Sequence, residues 1–194
     1  MDVDRKQLIL DAASQSFSSF GYKATTMDQV ARLAKVGKGT IYTFYKNKEE
    51  LFHEIISSLI VEMKAEAEGV MIEGESFFIN ADLALHTLLE YRTDHQLVIK
   101  LLQEEKEMGT PTVSDVIQKL ERAVVSYISK LIVSAIDAGE IKACDPEITA
   151  FVIYKLYIAL IFDWERYNSP LDKEEIPNLF RLYLIEGLSP EGCC

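Results

Sequence analysis

Basic side chains are concentrated in one short stretch of the sequence, residues 21–48. This stretch contains six lysine or arginine residues and a single acidic residue, Asp28. Ammonium and guanidinium groups neutralise phosphate oxygens, and such contacts supply much of the affinity of proteins for nucleic acids. The composition of this stretch therefore predicts a surface that binds phosphates.

Apolar and small residues in the same stretch predict two short helices joined by a tight turn. The first helix, residues 27–34, has Ala31 and Ala34 on its apolar face, and small residues there let a second helix pack closely. Val36 is expected to fill the turn, and the second helix is predicted from Lys38 to about Tyr45. This arrangement is typical of a helix-turn-helix, whose second helix enters the major groove of DNA.

The second helix carries side chains that are suited to reading base edges. Its N-terminal residues Lys38, Gly39 and Thr40 are expected to lie nearest the bases. Gly39 has no side chain, so the helix surface that faces the groove does not protrude there. We assign base discrimination to Lys38 and Thr40, with Thr43 and Lys46 as further candidates.

Phosphate contacts are predicted at two helix N-termini and at one phenol. Thr26 begins the first short helix and Lys48 begins the next long one, where free N–H groups attract anions. The hydroxyl of Tyr42 can donate a hydrogen bond to a phosphate oxygen. We expect Phe44 and Tyr45 to pack in the core. An alternative in which Tyr42 is also a core residue and the lysines form a solvated face stays open.

Acidic residues and histidines elsewhere suggest a metal site as an alternative. Asp82, His86 and Glu90 recur on one helix face, and Glu50-x-x-His53 has the spacing found in di-iron bundles. A di-iron site needs a second histidine motif, which the sequence lacks, and ion pairs on a solvated helix face explain the first row.

Motifs of the common enzyme classes are missing from the sequence. It has no nucleophile elbow, phosphate loop or glycine-rich dinucleotide turn. We therefore predict no enzyme activity, no catalytic or metal-binding residues and no cofactor. A metal-binding helical bundle or enzyme, and a helical protein-interaction module without DNA binding, remain the alternatives.

The complete chain is acidic although this stretch is basic. Its 194 residues carry a formal net charge of -11, so the excess of acidic residues lies after residue 50. An acidic surface repels nucleic acids and anionic membranes, and the charge distribution predicts a small basic module attached to an acidic body. No segment has the pattern of a signal peptide or a membrane span, and we expect a cytoplasmic protein without membrane contacts.

The helical period of the apolar residues, with only five prolines and nine glycines, predicts an all-α fold. About nine helices are expected, with Asn47 as the N-cap of the fourth. The predicted helices span residues 4–20, 27–34, 38–45, 48–71, 76–91, 94–108, 113–138, 146–167 and 173–187.

Two segments resemble the N-terminal DNA-binding domain of the TetR family of bacterial transcriptional regulators. They are Gly21-Tyr-Lys-Ala-Thr-Thr26 and Val36-Gly-Lys-Gly-Thr-Ile-Tyr-Thr-Phe-Tyr-Lys-Asn-Lys-Glu-Glu-Leu51, and the resemblance covers roughly residues 5–55. It implies an all-helical homodimer whose C-terminal bundle binds a small molecule and then releases DNA. By position, it also implies DNA contacts for Thr26, Lys38, Gly39, Thr40, Tyr42 and Lys48.

On this basis we divide the chain into three parts. Residues 1–47 form a helix-turn-helix DNA-binding domain, residues 48–190 form a bundle for ligand binding and dimerisation, and residues 191–194 form a flexible tail with Cys193 and Cys194. The expected function is that of a ligand-responsive regulator, most simply a repressor that binds a palindromic operator as a dimer.

Two residues of the turn depart from the pattern of the resembled family. Lys35 stands where the family usually has glycine, and Gly37 stands where it usually has serine or threonine. A left-handed lysine costs on the order of 1 kcal/mol, and glycine is an acceptable N-cap, so we expect the turn to form. Lys35 is then a candidate for the phosphate contact that the missing hydroxyl at position 37 does not make.

The segment from Phe151 to Trp164 is apolar on nearly all sides, which predicts that it is covered from more than one direction. We expect it to form a four-helix dimer interface with the last helix. A central core helix within one monomer is the alternative. The candidate interface residues are Phe151, Leu160, Phe162, Leu179 and Tyr183.

Aromatic residues of the C-terminal part are candidates for a lipophilic effector pocket, although a plain core is the simpler reading of each of them. Acidic side chains nearby, such as Glu104 and Glu105, are expected to face water. The charge of the effector therefore stays open. The candidate pocket residues are Tyr91, Met108, Tyr127, Tyr154, Tyr157 and Trp164.

Overall fold

A computed structural model describes residues 4–94 and 96–185, and every regular element in these ranges is helical. The predicted all-α class is therefore confirmed. The predicted tail at 191–194, with Cys193 and Cys194, lies outside the described residues. The helices are α1 Arg5–Ala24, α2 Met27–Leu33, α3 Lys38–Phe44, α4 Lys48–Gly69, α5 Phe77–Asp94, α6 Leu97–Met108, α7 Pro111–Asp137, α8 Pro146–Ile158 and α9 Glu175–Phe180.

The last two helices differ from their predicted extents. Helix α8 continues in a π-helical segment, Ala159–Asp163, and α9 continues in a second one, Arg181–Ile185. A π-turn adds one residue to the turn and shifts the side chains that follow, so the simple 3.6-residue period overestimated the α-helical lengths here.

The chain forms two compact units. One contains Met1–Glu62 together with Arg92–Gln118, and the other contains Met63–Tyr91 together with Lys119–Cys194. The first unit thus combines α1–α3 and most of α4 with α6. The domain boundary that we placed after residue 47 stays a prediction.

The core of the first unit is built on α1 and α4. Phe17 of α1 and Phe52 of α4 are fully buried, with ring centroids 5.0 Å apart in an edge-to-face contact. The ring of Tyr22 lies 4.7 Å from that of Phe52. Aromatic packing of this kind fixes α4 against the end of α1.

Helix α1 is interrupted before its end. Gly21 has φ +82° and ψ 172°, so the backbone leaves the helical conformation there and resumes it for three further residues. Glycine adopts positive φ without the steric cost that a Cβ imposes. The predicted stop at Gly21 is therefore real, although one more turn follows it.

The second unit has its own apolar cluster. Ile132 and Ala135 of α7 pack with Ile141 and with Ala150 of α8, and the rings of Phe77 and Phe78 cover this cluster. Helix α8 begins at a strong N-cap, because the Asp145 carboxylate accepts hydrogen bonds from the N–H groups of residues 147 and 148.

The turn between α2 and α3 has the geometry that the sequence predicts. Lys35 has φ +55°, in the left-handed region. The Val36 N–H donates to the Ala31 carbonyl and the Lys35 N–H to the Arg32 carbonyl, which is the hydrogen-bond pattern of a Schellman motif. Gly37 is the N-cap of α3, without a side-chain hydrogen bond.

Replacing Lys35 with glycine should stabilise the protein. The Lys35→Gly change removes the strain of a left-handed Cβ, and we expect the free energy of unfolding to rise by about 0.5–1 kcal/mol in urea titrations. Lys46→Gly is the matched control, since it also removes one exposed charge but at a position without positive φ. Equal effects of the two substitutions would contradict this explanation.

Candidate nucleic-acid interface

Helix α3 is attached to the protein through few side chains. Ile41 is fully buried, and Tyr45, one turn later at the C-cap, is only 2% exposed. These two residues fix the helix, which leaves the remainder of its surface open to solvent.

The open face of α3 contains most of the predicted base-reading residues. Lys38, Gly39 and Tyr42 are exposed and Thr40 is partly exposed. A Cβ built on Gly39 would meet no atom of the chain within 4 Å, so packing inside the protein does not require glycine there. The Thr43 hydroxyl donates to the Thr40 carbonyl at 2.7 Å, which already uses its only proton.

Phe44 does not belong to the core. We expected it to pack there with Tyr45, but its side chain is 40% exposed. Ile41 and Tyr45, four residues apart, define the buried stripe of this short helix, and Phe44 lies outside that stripe. The expectation for Tyr45 is confirmed and that for Phe44 is wrong.

Lys38 forms an ion pair with the preceding helix. Its ammonium lies 2.9 Å from the carboxylate of Asp28 in α2, and both side chains are more than half exposed. The hydrogen bond from Lys38 to Asp28 raises the pKa of the Lys38 ammonium. The first residue of α3 is therefore linked to the first turn of α2.

The predicted phosphate-binding residues have different surroundings. The Thr26 hydroxyl accepts the Gln29 N–H at 3.2 Å and caps α2, and Lys35 and Lys46 are exposed. Asn47 caps α4 as predicted, because its Oδ1 accepts the Glu50 N–H at 2.8 Å.

Lys48 is directed to the end of α1. Its ammonium donates to the carbonyls of Tyr22 and Thr25 at 2.7 and 2.9 Å and lies 4.1 Å from the centroid of the Tyr22 ring. Burial lowers the pKa of this ammonium. The phosphate contact of Lys48 stays a prediction, since the contacts of its ammonium in the described structure are all with groups of the protein itself.

A buried carboxylate from α6 contacts the same segment, residues 21–26, which joins α1 to α2 and is called the α1–α2 corner below. Glu104 is only 5% exposed, and its two oxygens accept the Lys23 N–H at 3.0 and 3.2 Å, while one of them also accepts the Thr110 hydroxyl at 3.0 Å. A Cβ on Gly21 would lie 2.5 Å from the nearer oxygen. Glycine at position 21 therefore allows both the positive φ and the approach of the carboxylate.

The burial of Glu104 was not predicted, because charged residues on helices usually face water. A signal was present in the spacing: Leu97, Leu101 and Glu104 follow at i, i+4 and i+7, which puts the carboxylate on the apolar face of α6. The expectation that Glu104 faces water is wrong.

The candidate pocket residues differ in exposure. In the second unit, Tyr154 is buried, Tyr91, Tyr127 and Tyr157 are half-buried, and Trp164 is exposed. The Trp164 indole N–H donates to the Ser169 carbonyl at 3.2 Å. Met108, in the first unit, is exposed. The assignment of these residues to a pocket stays a prediction.

The candidate interface residues are mostly accessible. Phe151 and Tyr183 are exposed, Leu160 and Leu179 are half-buried, and Phe162 is buried within the chain itself. Phe162 therefore contributes little to any surface that the second unit exposes.

The alternative metal site receives no support from the geometry. His86 lies 3.5 Å from the Asp82 carboxylate and 3.9 Å from that of Glu174, which is ion-pair geometry. Across residues 4–94 and 96–185, no group of three or more histidine, cysteine or acidic residues could hold a metal ion. None of the helices in these ranges is long and apolar enough to cross a membrane.

Two family models match the chain. The model of bacterial regulatory proteins of the tetR family matches residues 9–55, and that of the tetracyclin repressor-like C-terminal domain matches residues 82–188. The first match contains all of α2 and α3. The second contains α6 to α9.

Relatives and solved structures agree with these matches. The HTH-type transcriptional regulator YhgD of Bacillus subtilis is 59% identical over 97% of this chain and 99% of its own length. RutR of Escherichia coli K12 is 26% identical over 77% and 70%. The fold is similar to that of SmeT of Stenotrophomonas maltophilia in complex with triclosan, with a TM-score of 0.80 and 19% identity over 97% of this chain and 93% of that one.

Neutralising Glu104 should destabilise the first unit. Glu104→Gln keeps the shape but replaces one acceptor oxygen with an NH₂ group that faces donors, and we expect a loss of about 2 kcal/mol in the free energy of unfolding. Chemical denaturation measures this loss. The control is Glu107→Gln, an exposed position on the same helix, which should change stability by less than about 0.5 kcal/mol. Equal stability of the two variants would contradict the role of the Glu104 carboxylate.

Proposed function

Because the chain belongs to the TetR family of bacterial transcriptional regulators, we propose that it is a repressor that binds a palindromic operator as a homodimer and is released by a small-molecule effector. Members of this family are regulators and not enzymes. Operator DNA lies in the bacterial cytoplasm, and the proposal assigns the protein to that compartment.

The observation that carries the proposal is the exposed face of α3. A helix that buries only Ile41 and leaves Lys38, Gly39 and Tyr42 accessible has the shape and the donors needed for a major groove. The open space at Gly39 supports close approach by an external surface, since nothing in the chain fills it.

We divide the contacts into two classes. Lys38 and Thr40, near the start of α3, are assigned to base edges. Phosphates are assigned to Tyr42 and to the α2 cap Thr26, with exposed Lys35 and Lys46 adding charge. Lys48 contributes chiefly by stabilising the α1–α2 corner through hydrogen bonds to its carbonyls. Any phosphate contact at this position would come from the free N–H groups at the start of α4.

Dimerisation is assigned to the second unit. Apolar side chains of α8 and of the segment after α9 are exposed in the single chain, and a second copy would cover them. They include Ile148, Phe151, Val152, Leu182 and Tyr183. In such a dimer two α3 helices read half-sites about 34–36 Å apart or a multiple of this distance, so the operator should be palindromic.

The effector is proposed to be lipophilic. Tyr91, Tyr127 and Tyr157 of the second unit are half-buried, and aromatic side chains of this kind line most small-molecule sites. The complex of SmeT with triclosan is a precedent within the same fold. The effector acts if it binds the DNA-free form more tightly than the DNA-bound form.

Selection from a pool of random duplexes should recover a two-fold symmetric sequence. We expect the logarithm of the association constant to fall linearly with the logarithm of salt concentration, with a slope of roughly 0.9 per neutralised phosphate. Fluorescence anisotropy at several salt concentrations measures this slope. Lack of sequence preference and of salt dependence would instead favour a protein-interaction module.

The phosphate contact of Tyr42 is tested by removing its hydroxyl, with the same change at a distant tyrosine as the control. Tyr42→Phe should weaken binding to selected and unrelated duplexes alike, because a phosphate contact carries no sequence information. Tyr167→Phe, on an exposed side chain of the second unit, should change neither.

A charge in the exposed apolar surface of the second unit should break the dimer. We expect Phe151→Glu to sediment as a monomer and to lose most of its operator affinity, because a dimer interface would have to remove the new carboxylate from water. Val61→Glu introduces the same charge at an exposed valine of the first unit and should leave the dimer intact. A dimeric Phe151→Glu protein with unchanged affinity would refute this interface.

A further inference from the structure

The ion pair between Asp28 and Lys38 joins the two helices of the helix-turn-helix on their exposed side. Asp28 is the one acidic residue among six basic residues in the stretch 21–48. Among the basic residues of this stretch in the described part of the chain, Lys38 is the one that forms an ion pair with a carboxylate. Its ammonium nitrogen lies 2.9 Å from the Asp28 oxygen. The single acidic residue of this stretch thus lies against a residue assigned to base reading.

We propose that Asp28 determines the specificity of DNA binding by making the Lys38 ammonium a poor ligand for phosphate while leaving it available to base edges. This inference rests on the proposed function. It adds a residue that need not contact DNA, since Asp28 acts through Lys38.

The chemistry of the ammonium group explains the discrimination. A lysine ammonium has three N–H donors, and Asp28 uses one of them. The two remaining donors can bind neutral acceptors, such as N7 and O6 of guanine, without displacing the carboxylate. A phosphate at the same place would bring a second anion next to Asp28, and like-charge repulsion opposes that arrangement.

The position of the pair favours this reading over a purely structural one. Lys38 begins α3 and Asp28 lies in the first turn of α2, and both side chains keep more than half of their surface exposed, 65% and 55%. An ion pair this exposed adds little to folding stability. The two charges are nevertheless exposed to any ligand that reaches the start of α3.

The effect of Asp28 should therefore differ between a matching and a non-matching duplex. With Asp28 present, non-specific binding gains little from Lys38, whereas specific binding retains the contact to the base. A repulsive element of this kind raises the ratio of the two affinities without strengthening the specific complex.

The test compares Asp28→Asn with Asp11→Asn in the full chain. Asp11 is exposed on α1 in the same unit and loses the same charge, but its carboxylate accepts from Gln7 and does not contact Lys38. The probes are a duplex that the wild-type protein selects from a random pool and a shuffled duplex of the same composition. Anisotropy titrations at several salt concentrations give both affinities and both salt slopes.

For Asp28→Asn we expect about two- to fivefold tighter binding to the shuffled duplex and a smaller change on the selected one. The salt slope on the shuffled duplex should increase by about 0.9, since Lys38 then neutralises a further phosphate. Asp11→Asn should alter both duplexes equally and more weakly. In a Lys38→Gln background, Asp28→Asn should have no more effect than Asp11→Asn.

Equal changes on both duplexes, or an undiminished effect of Asp28→Asn in the Lys38→Gln background, would overturn the inference while leaving DNA binding intact. If selection with the wild-type protein recovers no preferred duplex, the proposed function fails and the inference falls with it. Asp28→Ser, measured beside Asp28→Asn with thermal unfolding of each variant, separates loss of the carboxylate from loss of fold.

Discussion

The position of the helix-turn-helix depends on how the broken end of α1 is satisfied. At Gly21 the backbone departs from the helical conformation, and the polar groups around this break need partners because they are partly buried. Two charged side chains supply them from outside: Glu104 accepts the Lys23 N–H, and Lys48 donates to the carbonyls of Tyr22 and Thr25. The corner that leads into α2 is thus held by opposite charges from α6 and α4.

This constraint matters because α2 and α3 are short, and α3 buries a single residue of its own. Each has seven residues, and isolated helices of that length are not stable in water. Helix α3 buries only Ile41, followed by Tyr45 at its C-cap, so its orientation is inherited from α2 and from the corner before it.

Local chemistry made much of this region predictable. The Asn47 cap follows from residue type and short-range spacing, whereas the left-handed Lys35 and the glycine N-cap of α3 were expected from the resemblance to the family. The burial of Glu104 was not predicted because charged helix residues usually face water, and its partner, the Lys23 N–H, is a backbone group 81 residues away in the sequence. The exposure of Phe44 likewise depends on which residues of a short helix meet the core, which tertiary packing decides.

The contacts also reduce the number of cations in the basic stretch that are available to phosphates. Of its six basic residues, Lys48 spends its hydrogen bonds on internal carbonyls and Lys38 is paired with Asp28. The exposed cations without such partners in the described structure are Lys23, Arg32, Lys35 and Lys46. In the proposed complex, attraction to phosphate therefore comes mainly from cations around α3, whereas the ammonium at the start of α3 is already paired with a carboxylate. Under the proposed function, separating the charges that attract from those that read allows a chain of net charge -11 to bind a polyanion at one small surface and still discriminate among sequences.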